Sequence, residues 1–225
     1  MNRELYIQII RNECDFLEKE GYLFSKIENN IFYKKESNYG EIRIRFNWIE
    51  YGDKFITQGL TVEKRFNEVE EVILKIVEGE LGNYYTIYKN PCFEDIQSDL
   101  NYTELENNIR FETYNIRDIK LFAKTVKAFY SNTVLKYLKR YESLNALDKE
   151  LKSLLDSKTI QSIFTSLENT TILRFCIVAF ICNNKDILTF FDNIYLPYLK
   201  DNSSNELNKT ELNGLLYIQS VFRDK

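Results

Sequence analysis

The sequence predicts an α+β protein: an amino-terminal helix, a four-stranded antiparallel meander and a second helix, followed by a carboxy-terminal helical bundle. Three observations carry this reading. Apolar residues recur every three or four positions near the amino terminus, alternate with polar ones through much of 22–64, and return to helical spacing from Asn115 onward. The expected division is a sheet domain over 1–112 and a helical domain over 113–225, the two packed together as one unit.

In the first helix, Arg3 to Glu20, the residues Tyr6, Ile9, Ile10, Cys14 and Leu17 form one apolar stripe. Gly21 stands where a left-handed residue would cap it. Two β-prone runs, YLFSKI and IFYKKE, flank ENN, with Asn29-Asn30 as the tolerant pair of a tight hairpin. NYG at 38–40 and EYGDK at 50–54 supply two further turns. Between them Ile42, Ile44, Phe46 and Trp48 alternate with Arg43, Arg45 and Asn47, and FITQGLTVEK returns as the fourth strand. Val69, Val72, Ile73, Ile76 and Val77 then predict a helix ending at Gly79. The apolar side of the sheet belongs with the stripes of these two helices, which leaves Arg43 and Arg45 facing outward or towards another part of the chain.

Residues 80–115 are less periodic. NYYTIY reads as a short edge strand, IRFETY as another, and CFEDIQSDLNYTELENN as an acidic loop with helical turns. Asn115 is an N-cap candidate, with Asp118 placed near the positive end of the helix that follows. That helix carries Ile119, Phe122, Ala123 and Val126. Amphipathic pieces follow at 145–156, 159–167, 170–182, 185–200 and 205–223, with Pro197 kinking or ending the penultimate one. No repeat of fixed period is evident. The longest apolar run, ILRFCIVAFIC, is interrupted by Arg174. As a helix it reaches only about 16 Å, half a bilayer core, so it is read as a buried helix and no membrane association is expected.

Composition narrows the function. The 225 residues carry 30 basic and 34 acidic side chains, a net charge of −4 that argues against a protein-wide attraction to nucleic acid. Histidine, the usual general base and commonest metal ligand, is absent, and the seven glycines form no phosphate-binding loop. No cofactor is therefore expected. Cys14, Cys92, Cys176 and Cys182 contain no CxxC pair and read as reduced thiols of a cytoplasmic protein. The opening MNRELYIQIIRNECDFLEKE lacks the apolar core of a secretory signal.

Three candidate sites remain. The first is the outward side of the meander, where Arg43 and Arg45 are flanked by Asn47 and Thr61; it is either a solvated face or a binding surface. The second is the basic helix 117–140, with seven basic residues against one acid. Its Lys120, Lys124 and Lys127 share a face, and Lys136 and Lys139 follow; cations at such spacing contact phosphates, unless neighbouring acids neutralise them. The third is the acidic stretch before it, six acids against one base over 94–112. Glu94, Asp95 and Asp99, joined by Asp118, have the chemistry of Mg²⁺ ligands in a nuclease or hydrolase; alternatively they form a surface for a basic protein partner.

The run FLEKEGYLFSKIENNIFYKKE, a helix ending in Leu17 and Gly21-Tyr22 and then a hairpin, resembles a family of small bacterial immunity-like domains of polymorphic toxin systems. The likeness spans about residues 1–80. It implies a non-catalytic protein that binds a toxin or other effector stoichiometrically and inhibits it. The expected function is accordingly an intracellular protein-binding inhibitor, immunity-like or directed against a defence enzyme, and not an enzyme itself. A nucleic-acid-binding module and a metal-dependent nuclease are the alternatives.

Overall fold

The computed structural model describes residues 2–52, 54–77, 85–96, 99–105, 108–157 and 169–223. The chain forms two compact units that interleave in sequence: Met1–Lys64 with Ile87–Lys139, and Arg65–Thr86 with Arg140–Lys225. The expected boundary at 112/113 is therefore displaced, because the helix after it packs on the sheet and not with the later helices.

In the first unit, helices α1 (Arg3–Glu13) and α2 (Asp15–Lys19) replace the single helix expected, with a break at Cys14. Gly21 has φ +88°, the left-handed cap expected of it, and the Tyr22 N–H returns to the Leu17 carbonyl. Strands β1 (Leu23–Ile27), β2 (Asn30–Ser37), β3 (Gly40–Tyr51) and β4 (Lys54–Lys64) form the predicted antiparallel meander. Its first turn is centred one residue earlier than expected: Ile27 pairs with Asn30, and Glu28 takes the positive φ.

The sheet does not stop at four strands. Among the described residues, β5 (Ile87–Lys89), β6 (Tyr102–Leu105) and β7 (Asn108–Thr113) complete a seven-stranded sheet of order β1-β2-β3-β4-β7-β6, with β5 also on β4. The long β4 makes this possible. Its residues 62–64 pair with β5 and its residues 55–58 with β7, so one edge serves two neighbours. β6 falls inside the stretch read as an acidic loop, which corrects that reading.

One face of this sheet is the core. Ile44, Phe46, Trp48, Phe55, Val62 and Phe111 lie buried beneath α1 and α4 (Ile116–Phe129). The second covering helix is thus α4, and not the 67–77 segment that the apolar stripe suggested. Phe122 of α4 stands at 5.2 Å, ring to ring, from both Phe46 and Phe111. The Asn115 side chain caps α4 by accepting from the Asp118 N–H, as expected. After α4 the chain makes one wider π-helical turn (Tyr130–Val134) and continues as α5 (Leu135–Arg140).

The second unit contains α3 (Asn67–Ile73), α6 (Leu144–Ser157), α7 (Asn169–Ile181), α8 (Lys185–Phe190), a second π turn (Phe191–Tyr195), α9 (Leu196–Asp201) and α10 (Glu206–Arg223). The helix expected over 159–167 and the helix end at Gly79 lie outside the described residues. α7 is apolar on all sides, as buried helices are; no described helix is long and apolar enough to cross a membrane. Gly214 lets α10 approach it closely: a Cβ there would lie 2.9 Å from Leu173 Cδ1 and 3.2 Å from Ile76 Cγ2. Pro197 sits in the first turn of α9, directly after the π turn, where its missing N–H is tolerated.

Two segments, FYSNTVLKYLKR (129–140) and FFDNIYLPYLKD (190–201), share Phe, Asn, Leu, Tyr, Leu and Lys in register. Each places its π turn at the same point. This short internal likeness, one copy per unit, is not evident from periodicity alone.

Candidate functional site

The side of the meander opposite the helices carries the first set of candidates. The register aligns Ser25, Phe32, Arg45 and Thr61 in one row across β1–β4, with Lys34, Arg43 and Glu63 in the next. Period-two alternation puts them all on one face because directly paired residues share a side. Arg43 is buried, its Nε 2.5 Å from Glu63 Oε2 and its guanidinium 5.0 Å from the Phe32 ring centre. Arg45 reaches the same carboxylate, Nη2 to Oε1 at 3.0 Å, but keeps 38% of its side chain exposed. Two guanidinium groups thus share the Glu63 carboxylate. Arg43 is a structural member of this trio; Arg45 is the presented one.

The face is polar but incompletely satisfied. Ser25 Oγ, Arg45 Nε, Asn47 Oδ1 and Thr61 Oγ1 are inaccessible atoms without a hydrogen-bond partner among the described residues. Thr61 itself is only 6% exposed. Buried polar groups are rarely left in this state, since each forfeits about 1–3 kcal/mol of solvation. Around them, on the same face, Leu23, Ile27, Ile49 and Tyr51 are 76%, 60%, 45% and 68% exposed. Large exposed apolar side chains thus border the Arg45 guanidinium on this face.

The acidic candidates do not form a site together. Asp95 is fully buried and accepts from the Cys92 N–H at 3.0 Å, the Cys92 thiol at 3.0 Å and Thr133 Oγ1 at 2.9 Å. It fastens the 92–95 loop to the π turn after α4. Asp118 accepts from the Tyr114 N–H at 2.9 Å and so completes a helix cap. Glu94 and Asp99 are exposed. Among the described residues no group of three or more Cys, Asp or Glu is placed to hold a metal ion.

The lysines of the basic helix are exposed, with their apolar stripe turned to the sheet. Lys120 lies 3.4 Å from Glu13 of α1, and Lys127 sits over the Phe16 ring at 5.9 Å. The acid beside Lys120 is therefore on α1, and not on the 94–112 stretch that the charge pattern suggested. Lys124, Lys136 and Lys139 point to solvent.

All four cysteines are free, and burial pushes each thiol above its ordinary range, Cys182 to about 11. They stay protonated near neutral pH and are poor nucleophiles.

Sequence reasoning missed Glu63 as the partner of both arginines. The alternation Leu60-Thr61-Val62-Glu63 held the signal, because it places Glu63 on the polar side of β4. It also missed Glu70, which receives Arg174 through Nε and Nη2, both at 2.8 Å, and Thr86 Oγ1 at 2.8 Å, wholly inside the second unit. Compared with protein families, characterised proteins and solved structures, the chain matches none.

Proposed function

We propose that this chain is a non-catalytic binding protein that inhibits an effector protein stoichiometrically, through the outer face of β1–β4. The observation that carries the reading is the partly exposed Arg45 guanidinium on this face, framed by exposed Leu23, Ile27, Ile49 and Tyr51. A docked protein surface supplies acceptors to the exposed part of the Arg45 guanidinium while its apolar side chains cover the frame and exclude water. Glu63 holds the Arg45 guanidinium in place beforehand, which lowers the ordering cost of binding. The basic helix is a weaker contact candidate, since Lys120 lies beside Glu13 and Lys127 packs over Phe16.

The test is affinity capture with the whole chain, followed by titration of the captured protein's activity. Inhibition complete at one equivalent, and weakened about tenfold or more by Arg45→Glu in a variant with unchanged circular dichroism, is the expected result. A captured protein whose activity does not respond, or full affinity in the Arg45→Glu variant, overturns the assignment.

A further inference from the structure

A second site lies in the first unit, away from the outer face of the meander and independent of it. The loop after β5 borders, with β6 and β7, an open groove of about 550 Å³. That volume falls within the range of about 300–1,000 Å³ typical of small-molecule pockets. Ile109, which is buried, and Pro91 contribute apolar surface. Phe93 supplies an exposed aromatic ring, and Tyr102 stands 6.3 Å from it, ring to ring.

The charged lining consists of Glu94, Glu104 and Lys89. None of the ion pairs among the described residues includes any of the three. Two carboxylates against one ammonium leave the cavity one charge negative. We infer that this cavity binds a small organic cation, a guanidinium or primary ammonium compound, with Glu94 and Glu104 meeting its charge and Phe93 its flank.

The chemistry selects against the alternatives. An anion would meet two carboxylates at the cost of one lysine. A divalent metal takes a cage of oxygens, whereas aromatic faces attract organic cations through the ring quadrupole. The Cys92 thiol and the Glu94 backbone N–H hold the Glu94 carboxyl below its usual range, so it carries its charge at neutral pH. The cavity is also preformed. Buried Asp95 ties Cys92 to Thr133 on the helical side, so the loop that bears Phe93 and Glu94 does not have to be ordered by the ligand.

The experiment titrates the whole chain with agmatine, and separately with an acetylated and amidated arginine, by calorimetry and by amide chemical shifts. Saturable binding that shifts Phe93, Glu104 and Ile109 is expected, weakened about fivefold by Glu104→Gln and by Phe93→Ala. Both variants change exposed side chains, and their folding is checked by thermal unfolding. A clear preference for agmatine identifies a free cation as the ligand; equal binding of the capped arginine identifies a basic side chain. No saturation with either probe, or undiminished affinity in both variants, overturns the inference. Neither result depends on the partner of the outer face.

Discussion

Glu63 and Glu70 show how much a single carboxylate decides here. Glu63 keeps Arg43 buried and Arg45 aimed outward. Glu70, fully buried, neutralises the one charge that interrupts the apolar run of α7. Removing one member of such a pair strands the other in a poorly solvating interior, which costs about 3–5 kcal/mol. Glu70→Gln is therefore expected to lose stability on that scale in urea unfolding, whereas Glu70→Met combined with Arg174→Met loses much less. Glu211 behaves differently. Burial raises its pKa, and the Tyr195 hydroxyl donates to it at 2.5 Å. The folded state then holds this proton more tightly than the unfolded chain. Its contribution to stability is full below the ordinary glutamate pKa, about 4.3, and is lost as pH rises through the raised value. Glu211→Gln keeps the acceptor and removes the titration, so the difference between wild-type and variant urea midpoints should grow as pH rises from 4. A pH-independent difference would refute this role. Glu112 acts in the opposite sense: Lys54 and Tyr114 lower its pKa, and the stability it adds disappears in acid.

α4 does more for the fold than its charge pattern announces. Its basic side is exposed, yet its other side closes the sheet, with Phe122 between Phe46 and Phe111. Phe122→Ala should cost about 3–5 kcal/mol by cavity formation, read as a shift of the urea midpoint. A change under about 1 kcal/mol would mean that the core lies elsewhere. The two π turns show a shared device. In the first unit Thr133 of the π turn donates to buried Asp95, and in the second Tyr195 of the π turn donates to buried Glu211. Wider turns project side chains that a regular helix would direct otherwise, and here each serves a carboxylate from another segment.

The chain crosses between its two units three times, near residues 64, 86 and 139. Each unit is thus assembled from separated segments, and neither is a contiguous stretch. A fragment of residues 1–112 carries the strands of the sheet, short only of Thr113, but lacks α4, leaving Phe46 and Phe111 without their cover. It is expected to show no cooperative thermal transition and poor amide dispersion, in contrast to the whole chain. A folded 1–112 fragment would restore the simple division that the charge and periodicity pattern suggested. The acidic total of the molecule is compatible with protein binding, while the uneven local charge lets one face of the first unit stay basic and its β5–β6 cavity stay acidic.

What contiguous residues could encode was already readable without coordinates. Alternation in 22–64 specified β1–β4 and their buried side, Gly21 and Asn115 marked helix ends, and the outward side of Arg45 followed from period two. These features depend on neighbours along the chain. Only the tertiary structure decided which helix covers the sheet, that four-residue β6 joins it, and which carboxylates meet the arginines. Glu63 lies 20 residues from Arg43, and Glu70 lies 104 from Arg174. Such pairs are set by register and packing between distant segments, for which local sequence carries no periodic signal; burial then makes them binding constraints, because a charge removed from water must find a partner wherever the fold brings one.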